Sequence, residues 1–105
     1  MPLFSGSVIG ETQHELLLGY WICQKGHCMD PEIYFGIEEK KHIYSSWLHA
    51  RPAATGTWSV EGNRLSIECC SGFKSEWEII RVDQRVLVLR HEISRETGEY
   101  SRIEE

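Results

Sequence analysis

Thiols and imidazoles are the side chains with the most chemistry to offer here. Four cysteines, Cys23, Cys28, Cys69 and Cys70, and five histidines fall within 105 residues. Thiolate and imidazole suit zinc, and a thiol beside an imidazole is the start of a nucleophilic pair. Cys23, His27, Cys28 and Cys69 are the metal candidates. Their spacing is loose for that role: Cys23-x4-Cys28 is wide, and no Cys-x2-Cys knuckle follows. Adjacent Cys69 and Cys70 on a strand would face opposite ways. A Cys23–Cys28 bridge is geometrically easy but makes sense only in an oxidising compartment. The expectation is therefore free thiols, packing as small hydrophobes, and no bound zinc.

Catalytic constellations are poorer still. Ser45-Ser46 with His49 lacks an orienting carboxylate and an oxyanion feature, and Cys28 beside His27 lacks a third group. Glu38-Glu39-Lys40-Lys41 reads as a solvated hairpin loop. The nine glycines stand singly, so no phosphate loop exists. An inward His49 or His91 could ligate haem, but a hydrogen-bonded rim histidine is the simpler use. These absences point to a protein that is not an enzyme and carries no cofactor.

The elements that must position these residues are strands. A chain of this length is one domain, here 41% hydrophobic and 26% charged, an ordinary globular balance. Eleven scattered Lys and Arg against sixteen Asp and Glu leave a charge of −5, which argues against nucleic acid or an anionic membrane. No apolar run is long enough for a membrane-spanning helix. The opening MPLFSGSVIG has no basic residue and no long apolar stretch, unlike a secretory signal, so reduced thiols in the cytoplasm are expected.

Eight short segments rich in β-branched and aromatic residues are bounded by Gly, Asn, Asp or Pro: 16–24, 32–38, 42–49, 55–60, 64–70, 74–82, 85–91 and 99–103. One helical turn is expected near 10–15. Gly62-Asn63 reads as a two-residue hairpin turn pairing Val60 with Leu65, with Trp58, Val60, Leu65 and Ile67 on one face. Around Asp83-Gln84, simple pairing mixes Trp77, Ile79, Val86 and Val88 with Arg81 and Arg90, so a bulge is expected. The fold class is all-β: an eight-stranded antiparallel up-and-down meander. Closure into a barrel removes two aggregation-prone edges.

Gly19-Tyr20-Trp21 on the first strand and Tyr100-Ser101-Arg102 on the last resemble the lipocalin-like (calycin) barrel, as does the internal Gly56-Thr57-Trp58. The resemblance spans 16–103 in outline and is nearest to small bacterial lipocalin-like domains of unknown function. It implies that Trp21 packs inside one end of the barrel with Arg102 across its indole, a favourable cation–π stack. The chain is shorter than a typical lipocalin and lacks the helix that usually follows the last strand.

Within such a barrel Trp21, Phe35, Trp47, Trp58, Ile67 and Trp77 are the candidate ligand-binding residues, with Ile37 and Leu65 beside them. An eight-stranded barrel either fills with its own side chains or holds one small ligand. Strand polarity also crowds the four cysteines with His27, His49 and His91 at one rim, and sends His14 and His42 to the other end. The expected function is binding of a small hydrophobic ligand or a protein partner. The alternatives are an interaction or enzyme-inhibitor barrel using rim loop 24–31, and a metal-linked or redox protein using the Cys/His rim.

Overall fold

A computed structural model describes residues 14–69 and 72–103. Eight strands follow in order: β1 (Gly19–Gly26), β2 (Glu32–Glu38), β3 (Lys41–Leu48), β4 (Arg51–Glu61), β5 (Arg64–Cys69), β6 (Phe73–Val82), β7 (Val86–His91) and β8 (Thr97–Arg102). Each pairs antiparallel with the next, and β8 pairs with β1 to close the barrel. The expected meander is therefore the observed one.

Alternation decides which side chains enter. Trp21, Ile33, Phe35, Leu65, Leu87 and Leu89 are buried, while their strand neighbours face outward. The β4–β5 hairpin has the expected register, with Trp58 opposite Ile67 and Val60 opposite Leu65. Its Gly62 has φ 65°, which that turn requires at its first central position.

Three local expectations need correction. Residues 14–17 form a helical turn rather than the start of β1, and buried Leu17 plugs the barrel end; the earlier part of the expected turn lies outside the described residues. β4 begins at Arg51, not Thr55, because the two-residue turn His49-Ala50 (φ 54° and 66°) starts pairing immediately. Pro52 is tolerated there beside a register shift at Ser46/Trp47. In β7 the inward residues are Leu87 and Leu89, not Val86 and Val88. The expected bulge is present between Ile79 and Arg81, and it turns Arg81 out and packs Val82 against the core.

Closure rests on the residue at the end of β8. Trp21 is directly opposite Arg102, and the guanidinium carbon lies 4.3 Å from the indole centroid. Arg102 also donates from Nε to the Gln84 carbonyl at 2.8 Å, from Nη1 to the Leu18 carbonyl at 2.6 Å, and from Nη2 to the Leu16 carbonyl. Trp21 Nε1 donates to the Leu17 carbonyl at 2.9 Å. Gly19 has φ 123°, and a Cβ there would sit 2.7 Å from Arg102 Nη1. The Gly-x-Trp spacing thus leaves room for the arginine that covers the tryptophan.

Arg102→Ala should lower stability in urea unfolding by about 2–4 kcal/mol, since charged hydrogen bonds and stacking are lost together. Arg102→Lys should recover less than half of that, because an ammonium cannot serve three carbonyls and an indole face at once.

Candidate functional site

The barrel is filled at one end and hollow at the other. At the filled end, Phe35, Trp58 and Trp21 occupy the interior, with Trp58 Nε1 donating to the Gly36 carbonyl at 3.1 Å. His14 and His42 meet there, Nε2 to Nε2 at 2.8 Å, both against Trp58. At the opposite rim a cavity of about 280 Å³ is lined by residues that include His27, Met29, Tyr44, Ile67, Trp77 and His91.

The segment after β1 and strands β3 to β7 build this mouth. The segment after β1 folds back on β8: the His27 amide donates to the Thr97 carbonyl at 2.8 Å and the Met29 amide to the Tyr100 hydroxyl at 2.9 Å. Gly98 permits this approach, because a Cβ there would collide with the His27 carbonyl. A disulfide joins Cys23 to Cys28, with Cα atoms 6.2 Å apart, and Cys28 forms part of the cavity wall. The expectation of free thiols at these two positions is thereby overturned. Cys23 points inward near the end of β1, and the turn at Gly26 (φ 87°) brings Cys28 back over it. Cys69 lies on the same wall, and Cys70 lies outside the described residues.

The aromatic side of the cavity is Trp77, flanked by His27 with ring centroids 6.1 Å apart and by His91 at 4.7 Å. Trp77 Nε1 donates to Ser75 Oγ at 3.1 Å. His91 Nδ1 accepts the Ser94 amide at 3.2 Å, which assigns the proton of the neutral ring to Nε2. His27 Nδ1 lies 3.3 Å from Glu96 Oε1. The opposite side is phenolic. Tyr44 donates its hydroxyl to Met29 Sδ at 3.7 Å. Burial pushes the Tyr44 phenol well above the ordinary tyrosine range; the Ser46 hydroxyl opposes this and the Asp30 charge adds to it. Burial likewise pushes up Tyr100, against the opposing Met29 amide. Both phenols stay protonated and serve as neutral hydrogen-bonding groups.

Of the residues expected to bind ligand, Ile67 and Trp77 line the cavity. Trp21, Phe35 and Trp58 are buried in the filled end. Trp47 is on the outer face beside Tyr20, ring centroids 6.0 Å apart, because Tyr44 and Ser46 take the inward positions of β3. Ile37 is 45% exposed, two residues before the turn at Glu39-Lys40, rather than in the core. Of the metal candidates, Cys23 and Cys28 are bound to each other, while His27 and Cys69 share the cavity wall. His49 sits in an exposed turn away from it. Among the described residues no group of three or more His, Cys, Asp or Glu is arranged to hold a metal ion, and no helix is long and apolar enough to cross a membrane.

Tyr44, Met29 and Asp30 were not anticipated. The signal for Tyr44 was its place opposite Gly56, which in turn faces Cys69. Met29 and Asp30 carry no periodic signal, since a loop side chain has no pleat to direct it.

This architecture is that of a lipocalin-like β-barrel. The structure is similar to a crystal structure of a lipocalin-like protein from Bacteroides uniformis, with a TM-score of 0.60 and 12% sequence identity, covering 84% of this chain and 99% of that one. No protein-family profile matches the chain, and no curated protein does.

Reduction of the denatured protein should release two thiols that are unreactive beforehand. A Cys23→Ser/Cys28→Ser double variant should lose about 2 kcal/mol, the closure entropy of so short a loop. Amide exchange in 27–31 should accelerate while the Trp58–Ile67 hairpin stays protected.

Proposed function

We propose that this protein acts by binding rather than catalysis, and that its ligand is a small ring-bearing molecule held in the rim cavity. The observation that carries this reading is the cavity of about 280 Å³ with Trp77, Ile67, Tyr44 and Met29 on its walls. A dry cavity of about 150 Å³ already accepts benzene, so this one suits a molecule of about one or two rings. The nucleophile readings lose support from the same geometry: Cys28 is oxidised, and Ser46 is buried away from exposed His49.

The disulfide also favours an oxidising compartment over the cytoplasm that the opening segment implied. The Bacteroides likeness favours a bacterial setting. A second reading, a protein partner at the rim, draws on Phe73 and Ile93, which are 65% and 87% exposed beside the mouth. Loop 24–31 is a poorer docking arm, being tied to β8 at both His27 and Met29.

A panel of mono- and bicyclic aromatics should shift the Trp77 indole N–H resonance and saturate at about one site. Ala54→Phe, which fills the cavity from β4, should abolish the shift while the circular dichroism stays native. Absence of any shift across the panel would overturn the ligand reading in favour of the partner.

A further inference from the structure

The lining of the cavity is unbalanced in charge, and this bears on what it selects; the inference rests on the ligand reading above. Among the described residues, Asp30 is the one carboxylate on the wall, and neither Lys nor Arg lines it. The side chain is half-buried, and among the described residues no ion pair or hydrogen bond engages its carboxylate. An unpaired carboxylate withdrawn from water is costly, and a cation brought beside it recovers much of that cost.

Its surroundings reinforce the preference. Tyr44 lines the cavity and donates its proton to the Met29 thioether, so its oxygen has only lone pairs left to offer. The Tyr100 hydroxyl oxygen already accepts the Met29 amide, and both phenols feel the Asp30 charge. Across the cavity, Trp77 presents the kind of ring that attracts a cation or stacks on another ring. The mouth histidines do not reverse the sign: His27 has Glu96 beside it, and the His91 ring accepts an amide proton at Nδ1.

We propose that the cavity selects a small aromatic amine, with the ring packed beside Trp77 and the ammonium against Asp30 and the Tyr44 oxygen. Charge-assisted hydrogen bonds would supply the selectivity, and apolar contact the remaining affinity.

The test compares three ligands of one shape on the native protein by two-dimensional NMR titration: phenethylamine, phenethyl alcohol and phenylacetate. The amine should bind about tenfold more tightly than the alcohol, and the carboxylate more weakly than either. Asp30→Asn should bring the amine down to the alcohol and leave the alcohol unchanged. An alcohol that binds as tightly as the amine, or an amine preference that survives Asp30→Asn, would overturn this inference and leave the cavity reading standing. Failure of all three ligands to bind, together with the aromatic panel, would overturn both.

Discussion

The contact between Arg102 and Trp21 is the constraint on which the rest of the barrel depends. A meander of eight strands has two free edges until its ends meet, and the ends are the parts of a chain most costly to order. The β1–β8 ladder joins them, and one guanidinium locks its end. It covers an indole on the first strand, and it satisfies carbonyls at the exit of the helical turn and in the β7 entry loop. A planar cation with several fixed donors can do this; a point charge on a flexible stem cannot. Gly19 completes the arrangement by leaving space beside the guanidinium.

The filled end and the hollow end follow from where large side chains fall along each strand. Trp21, Phe35 and Trp58 lie toward one end, and with Leu17 beneath them they leave no room for a ligand. Toward the other end the inward positions carry smaller groups, Ala54 on β4 and Ser75 on β6, and Gly98 stands at the start of β8. The space so created is roofed by the segment after β1, which the Cys23–Cys28 bond and two backbone-donated hydrogen bonds hold in place. The cavity wall is thus partly a loop made rigid by covalent and polar ties, so its side chains arrive in fixed positions without a strand to place them.

Such a division fits a binding protein. The filled half stabilises the fold without participation from a ligand, and the hollow half is free to leave Asp30 unpaired and Trp77 partly lined by empty space. On the proposed reading, stability and recognition are carried by different side chains of the same strands.

Much of this was legible in the residues themselves. Eight short segments at near-regular spacing pointed to a meander, because short connections join antiparallel neighbours. Gly62-Asn63 set the register of its hairpin, since a two-residue turn leaves only one pairing with Trp58 and Ile67 on the same face. The mismatch of Arg81 with its neighbours pointed to a bulge or a longer loop, and the resemblance carried by Gly-x-Trp on the first strand and Tyr-x-Arg on the last implied closure. What tertiary structure alone decided was which aromatic side chains enclose space. Trp47 and Trp77 look alike in sequence, yet Tyr44 and Ser46 claim the inward phase of β3 and turn Trp47 out, while Trp77 faces the cavity. The disulfide and the position of Asp30 were likewise decided by a loop folding back over the barrel mouth. A loop has no repeating pleat, so where its side chains point depends on contacts with residues some seventy positions away, such as Tyr100.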